Sequence, residues 1–159
     1  MLIGGFNGTR PQLPGLAAFP DLNLVGQVIF LVDTGADVSV IGPGDSAALG
    51  LDRAIQPGNP HIALAPTPVV GFGGKLHPYL AKAYIVFPAV DSISGEAEKP
   101  YCYAGEIDVL TPAMLTEPDP SCWPSSCLGW DMLRMMARID FRPPEHKSYF
   151  CLTGEVPPA

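Results

Sequence analysis

The stretch Phe30-Leu31-Val32-Asp33-Thr34-Gly35-Ala36-Asp37 joins an apolar run to an acid, a hydroxyl and a glycine. The whole apolar run, Leu24–Val32, is rich in β-branched residues and too short to cross a membrane, so it predicts a buried strand. A carboxylate at the end of such a strand is costly to bury unless it has a use. Because Gly35 permits a tight turn and the apolar segment 38–41 follows at once, we expect Asp33 to lie in a loop between two strands.

The composition indicates one folded domain. The chain has 159 residues, 47% of them hydrophobic and only 16% charged, which is enough for a single core. Its 17 glycines and 19 prolines predict many turns and few helices. The net charge of −7, without any cluster of Lys and Arg, argues against nucleic acid as a partner.

The sequence gives no sign of a membrane segment or a secretory leader. No apolar stretch has the length of a membrane helix, and the first residues lack the basic region and apolar run of a signal peptide. We therefore expect a cytoplasmic protein. Cys122 and Cys127 flank a short turn and could form a disulfide, although free thiols are the favoured alternative. None of the three histidines lies at zinc-ligand spacing from this pair.

Three regions differ in composition. Residues 1–20 are rich in Gly and Pro and are expected to form an extended arm, which either pairs with a partner subunit or is a partly ordered leader. Residues 21–152 form the domain, and residues 153–159 a Pro-rich tail.

Within the domain, several elements are predicted from local patterns. A short helix is expected over 43–51, ended by Gly50, and a strand over 76–87. The polar residues 91–100 should form an exposed loop. Apolar residues at four-residue steps predict an amphipathic helix over 130–137 that packs against a sheet.

Three segments resemble the retropepsin-like aspartic proteases, in the order that this family shows. Leu31–Ala36 is similar to the family's active-site segment, two hydrophobic residues followed by Asp-Thr-Gly-Ala, and 69–74 resembles its glycine-rich flap. Cys127–Leu133 resembles the segment that opens its C-terminal helix. The resemblance implies a mostly β fold, a single-lobe closed barrel-like acid protease with one short C-terminal helix.

The resemblance also implies an aspartic endopeptidase that needs no cofactor or metal. Hydrolysis by an acid pair requires two carboxyl groups that share one proton. The chain has one Asp-Thr-Gly segment only, so the expected enzyme is a homodimer with one Asp33 from each subunit, acting on peptide or protein substrates.

Residue roles follow from the same resemblance. Thr34 would bond across the twofold axis, and the amide of Gly35 would orient the carboxylate. Ala36 stands where some relatives carry a hydroxyl, which leads us to expect an optimum of roughly pH 4 to 6. Asp37 would bind substrate backbone and pair with an Arg, but Trp130 occupies that position, which leaves Arg134 and Arg138 as candidate partners.

The flap residues Val70, Gly71, Phe72, Gly73 and Gly74 are expected to cover a bound peptide. An ordinary glycine-rich turn is the alternative interpretation. Val69, Val70, Phe72 and Leu128 are the candidate apolar residues of the substrate pockets.

Other functions remain open from the sequence. A binding or assembly module could keep the same fold without proteolysis, and Asp33 could be a turn-capping residue. Asp131 is interpreted as a charge that favours a helix N-terminus. A metal-dependent hydrolase that uses Asp33 and Asp37 is disfavoured, because no histidines or further acids converge on them by spacing.

Overall fold

The computed structural model describes residues 1–56, 58–71 and 74–151, and in this part the protein is mostly β. The strands are β1 (Leu2–Asn7), β2 (Arg10–Phe19), β3 (Leu24–Val32), β4 (Val40–Ile41), β5 (Ala63–Leu64), β6 (Val69–Gly71), β7 (Gly74–Leu76), β8 (Tyr79–Val90), β9 (Ala97–Val109), β10 (Cys127–Leu128), β11 (Arg138–Arg142) and β12 (Lys147–Cys151). The α-helices are α1 (Pro43–Leu49), α2 (Leu51–Ala54) and α3 (Trp130–Leu133).

Ten strands form one sheet in the order β11-β12-β1-β2-β3-β10-β4-β9-β8-β5, and β6 and β7 form a separate hairpin. Strand β8 also pairs with β2 over Leu16–Ala18 and with β1 at Leu2, so the sheet folds back on itself. The mostly β prediction is confirmed, whereas the closed barrel stays a prediction. The fold class with only one short helix, at the C-terminus, is wrong, because the described residues contain three α-helices, of which α1 lies within the helix expected over 43–51.

Strand β3 has the predicted bounds but is not buried throughout. It runs antiparallel to β2, from the pair Leu31–Gln12 to the pair Leu24–Phe19. Val28 and Phe30 lie in the core, while Val25 is 63% exposed. Side chains alternate across a strand, so only one face of β3 contributes to the core.

The N-terminal residues are part of the sheet rather than an arm outside it. Strand β1 pairs with β12 on one edge and with β2 on the other, so it has no free edge for a partner strand. Leu2, Leu13 and Phe19 are buried in the core. The glycine content reflects close packing here, because a Cβ on Gly15 would lie 2.9 Å from the ring of Phe87.

Strands β8 and β9 form the longest pairing of the sheet. β9 begins at Ala97, so only residues 91–96 form the loop predicted over 91–100. Ala81, Ala83 and Ile85 share one face of β8 by strand alternation, and all three are buried.

Two helix predictions had different outcomes. Helix α1 ends at Gly50, which has the predicted left-handed conformation with φ 81°. Helix α3 stops at Leu133, so the prediction of a helix to Ala137 was wrong. The N–H of Ala137 bonds to the carbonyl of Cys151 instead, because the chain joins the sheet at once as β11.

One main core lies between the sheet layers. Its largest fully buried side chains are Phe19, Phe30, Phe87, Phe150, Leu2, Leu13, Ile41, Leu51, Ile85, Ile107 and Leu128. Cys102, Cys122 and Cys127 are free thiols, so the Cys122–Cys127 disulfide is absent. Within the described residues, no helix has both the length and the apolar character that a membrane crossing requires.

Candidate active site

Asp33 follows the last residue of β3 and is exposed at the start of a loop that ends at Ser39. The N–H of Gly35 donates to Oδ1 of Asp33 at 3.0 Å, and the N–H of Ala36 donates to the Asp33 carbonyl at 3.2 Å. A Cβ on Gly35 would lie 3.3 Å from that same Oδ1, so glycine leaves room for the contact. The loop therefore presents an oriented carboxylate to solvent.

Strand β10 fixes both ends of this loop. Cys127 pairs in parallel with Leu31 of β3 and antiparallel with Val40 of β4. The N–H of Asp33 also donates to the carbonyl of Leu128 at 3.1 Å. Because β10 lies between β3 and β4, the loop spans two strands that cannot move apart independently.

The residues after β10 hold the middle of the loop. The N–H of Trp130 donates to the carbonyl of Ala36 at 2.7 Å, and the N–H of Asp131 donates to that of Asp37 at 3.1 Å. A Cβ on Gly129 would clash with the backbone of Val38. Glycine is therefore required where α3 begins against the loop.

Ser39 completes the attachment, and the sequence did not indicate it. Its hydroxyl is buried, donates to Oδ1 of Asp131 at 2.7 Å and accepts from the N–H of Gly129 at 2.9 Å. Asp131 does lie in the first turn of α3, where it also accepts from the N–H of Met132 at 2.9 Å. Its carboxylate thus connects α3 to the loop as well as favouring the helix terminus.

A cleft of about 630 Å³ opens beside Asp33. Its lining comes from the loop, from the hairpin of β6 and β7, and from β4, β9 and β10. The lining residues are Asp33, Gly35, Ala36, Asp37, Val38, Val40, Thr67, Pro68, Val69, Val70, Asp108 and Cys127.

Most of the candidate site residues meet in this cleft. Asp33, Ala36, Asp37 and Val70 all line it, whereas Leu128 is buried in the core and was wrongly expected in a pocket. Gly71 and Gly74 pair with each other at the end of the hairpin. Phe72 and Gly73 lie outside the described residues.

The hairpin packs on the wall of the cleft. Val69 pairs with Leu76, and both contact a small apolar cluster of Val40, Leu110 and Cys127 that also touches Ala36. Val70, the neighbour of Val69, is 73% exposed. The hairpin therefore has one attached side and one side open to solvent, and its role as a lid stays a prediction.

Thr34 lies on the other side of the loop. It lines a shallower depression with Phe6 and Phe141, and within the described residues its hydroxyl makes no hydrogen bond. The hydroxyl is therefore available to a group outside the subunit.

Asp37 has no Arg partner in the described part of the chain. Arg138 lies 3.9 Å from Asp140 instead, and Arg134 makes no ion pair with Asp37. Trp130, at the position of the missing Arg, is 53% exposed. The carboxylate of Asp37 is exposed at the cleft and able to accept hydrogen bonds.

Asp108 is a third acid of the cleft, beside Asp33 and Asp37, and sequence reasoning missed it. It lies in β9 between Ile107 and Val109 and is only 8% exposed. Burial, with a smaller contribution from the charge of Asp131, raises the pKa of Asp108 to about 6. An acid inside an apolar strand was the available signal, because carboxylates are rarely buried without a partner.

Cys127 is the cleft's thiol, and it is not activated. Burial, followed by the nearby charge of Asp33, raises the pKa of Cys127 to about 11. The thiol is therefore protonated at neutral pH and unsuited to nucleophilic attack. Within residues 1–56, 58–71 and 74–151, no group of three or more His, Cys, Asp or Glu is arranged to hold a metal ion.

No protein-family model and no curated protein matches the sequence. Among solved structures, the chain is similar to a retropepsin-like aspartic protease from Rickettsia conorii, with 16% sequence identity and a TM-score of 0.44. The match covers 93% of this chain and 86% of that chain. Similarity at this level assigns no function.

Proposed function

We propose that the protein is an aspartic endopeptidase that acts as a homodimer, with one Asp33 from each subunit. The observation that carries the proposal is the Asp33 carboxylate, which is oriented by the Gly35 N–H at 3.0 Å and lies on the wall of a cleft of about 630 Å³. A turn-capping acid would need no such cleft beside it.

The dimer supplies the second carboxyl group. Two carboxylates a few ångströms apart cannot both ionise at low cost, so the pair holds one proton between them. The ionised member takes a proton from water, and the protonated member polarises the carbonyl of the scissile bond. The rigid attachment of the loop to β10 and α3 supports this role, because a shared proton requires a fixed separation.

Thr34 supports the same arrangement. Its hydroxyl is exposed and makes no hydrogen bond within the described part of the subunit. A partner's loop at the twofold axis would offer it a backbone group, as the resemblance to retropepsin-like proteases implies.

The substrate is proposed to be a peptide in extended conformation. It would lie between the loop and the β6–β7 hairpin, with its side chains in the cleft. Asp37 is exposed and pairs with no Arg in the part of the chain that the structure describes, so it is able to accept a hydrogen bond from the peptide backbone. The expected optimum remains roughly pH 4 to 6, as for a pair that shares one proton.

The test is cleavage of a peptide library at mildly acidic pH, with and without pepstatin, by the wild-type protein and by Asp33→Asn. Glu98→Gln, which changes an exposed acid at the start of β9, is the matched control. We expect cleavage that pepstatin inhibits, lost in Asp33→Asn and kept in the control. Cleavage that survives in Asp33→Asn would remove this residue from the mechanism.

The second candidate is a binding or assembly module without proteolysis. The observation that favours it is Trp130, whose exposed indole replaces the cation expected beside Asp37. This candidate predicts that peptides bind the cleft of the wild-type protein and of Asp33→Asn alike, and that neither protein cleaves them.

A further inference from the structure

Strand alternation turns the side chain of Asp108 towards the cleft. Its neighbours Ile107 and Val109 belong to the main core, on one face of β9. Asp108 therefore faces the opposite side, together with Leu110 of the apolar cluster behind the cleft. In register it lies next to Val40 of β4, which also lines the cleft.

The carboxylate of Asp108 has no partner within the described residues. The residue is 8% exposed, and no hydrogen bond or ion pair satisfies its oxygens. Burial of an unpaired carboxylate is unfavourable, which agrees with the raised pKa of this group. A buried carboxylate without a partner is typical of a functional site, where a ligand supplies the missing partner. Asp108 lines the cleft, so a ligand there can reach its carboxylate.

The rest of the cleft has the same sign of charge. Asp33 and Asp37 also line it, and Asp131 lies close enough to raise the pKa of Asp108. None of the described lining residues is Lys, Arg or His. In a cleft with apolar walls, carboxylates of the same sign produce a strong negative potential. The cleft therefore attracts cations and repels acidic side chains.

We propose that Asp108 determines specificity by binding the Lys or Arg side chain of a peptide that occupies the cleft. This inference rests on the proposed function, because it names the substrate residue that the same cleft accepts. The apolar stem of Lys or Arg would lie along Val40 and Val69, and its charged end would meet the buried carboxylate.

A catalytic role for Asp108 fits the geometry less well. The charge that acts on Asp108 is that of Asp131, and Asp33 is not among the groups that shift its pKa. Asp108 is also fixed within a strand, whereas Asp33 lies in the exposed loop. Asp108 therefore belongs to the pocket beside the reacting atoms.

Cleavage is measured at pH 6 and binding at pH 8, because Asp108, with a pKa of about 6, is mostly protonated below pH 5. The cleavage test uses fluorogenic peptides in pairs that differ at one position, either Lys against norleucine or Arg against citrulline. Citrulline keeps the length of the Arg side chain and norleucine keeps the four-carbon stem of Lys, so each pair mainly removes the charge. At one position, we expect the wild-type kcat/KM to favour the cationic member by about 10- to 100-fold, as for a hydrogen bond between charged groups. The absence of any such position would overturn the inference without the need for a variant.

Variants then assign the preference to its residue. Asp108→Asn should reduce the Lys-to-norleucine ratio to near one through slower cleavage of Lys peptides, with norleucine peptides cleaved as before. Asp108→Glu should keep a preference for the cation. Glu106→Gln, which removes an exposed acid of the same strand outside the cleft, should leave the ratio unchanged. A ratio that persists in Asp108→Asn would contradict the assignment.

A binding measurement separates this inference from the proposed function. Asp33→Asn keeps Asp108 and should bind Lys peptides about 10-fold or more tighter than norleucine peptides, whether or not the wild-type protein cleaves them. The added Asp108→Asn change should abolish that difference. Cleavage without a preference for cationic side chains would contradict only the proposed role of Asp108. Charge-dependent binding without cleavage would contradict only the proposed endopeptidase activity.

Discussion

Asp33 and Asp108 line the same cleft, but the chain holds them in opposite ways. Asp33 lies in an exposed loop, and its carboxylate accepts the N–H of Gly35. Asp108 lies within a strand, is 8% exposed and has no partner in the described residues. One acid is exposed and oriented by a hydrogen bond, and the other is mostly buried and unpaired within the described residues.

The difference shows which part of the structure sets each acid's chemistry. The environment of Asp33 is made by backbone groups, through the turn at Gly35 and the attachment to β10 and α3. The environment of Asp108 is made by its place in β9, where it lies opposite Val40 in register and close enough to Cys127 for its charge to act on that thiol. These environments suit the roles that we propose, catalysis for Asp33 and recognition of a cation for Asp108, and variants of the two residues distinguish these roles.

The largest expected effect separates the two acids in cleavage of a peptide without cations. Asp33→Asn should lower kcat by roughly 10²- to 10⁴-fold, because it removes a general acid–base group. Asp108→Asn should change kcat for the same peptide by about twofold at most, as a pocket residue would. Steady-state kinetics measures both values of kcat. Equal losses of kcat in Asp33→Asn and Asp108→Asn would contradict separate roles for the two acids.

The next effect tests the support of the Asp33 loop. Gly129→Ala should lower the free energy of unfolding by about 3 kcal/mol, since its Cβ would enter the backbone of Val38. Urea denaturation measures this change. Gly44→Ala is the matched control: a Cβ there meets nothing within 4 Å, and the residue lies in α1, so stability should rise by about 0.4–1 kcal/mol.

Asp108 should also reveal its burial through pH. Its folded pKa is about 6 against a reference of 3.8, so stability falls as the pH rises from about 4 to 6 and stays lower above that range. Asp108→Asn should be more stable than wild type at pH 8 by at most about 3 kcal/mol, and the difference should shrink as the pH falls towards 4.

Unfolding by urea at several pH values measures this difference. Glu106→Gln on the same strand should show no comparable dependence, because Glu106 is exposed. An Asp108→Asn variant that is less stable than wild type at pH 8 would mean that the carboxylate has a stabilising partner.

The smallest effect concerns Ser39. Ser39→Ala should cost about 1–2 kcal/mol of stability, because it leaves the buried N–H of Gly129 and the carboxylate of Asp131 without their shared hydroxyl. Ser39→Thr keeps the hydroxyl but adds a methyl group to a buried site. In Ser39→Ala we expect kcat, calculated per folded protein, to fall as well, because the loop that holds Asp33 shifts. An unchanged kcat would show that this attachment does not position Asp33.

Local features of the site could be predicted from the sequence. The run from Leu24 to Val32 forms the expected strand, and Gly50 ends α1 in the left-handed conformation. The Asp-Thr-Gly turn was recognisable because its chemistry lies in consecutive residues.

Features that depend on distant contacts could not be predicted. Ser39 and Asp131 are separated by 92 positions, and no local pattern links them. Asp108 faces the cleft only because β9 pairs with β4 in one register. Helix α3 is shorter than its periodicity predicted, because the bond from Ala137 to Cys151 draws the chain into the sheet.

In the proposed dimer, each subunit supplies one Asp33 of the catalytic pair. Mixing wild-type and variant subunits shows whether both are needed. Wild-type protein and Asp33→Asn are mixed under denaturing conditions, refolded together and assayed, with sedimentation confirming the size of the species. If two Asp33 residues make one site, an equal mixture has about 25% of the activity of wild-type protein at the same total concentration. Only dimers of two wild-type subunits are then active, and random pairing makes these one quarter of all dimers. An activity of about 50%, proportional to the fraction of wild-type subunits, would mean that each subunit acts alone. That result would contradict a catalytic pair shared between two subunits.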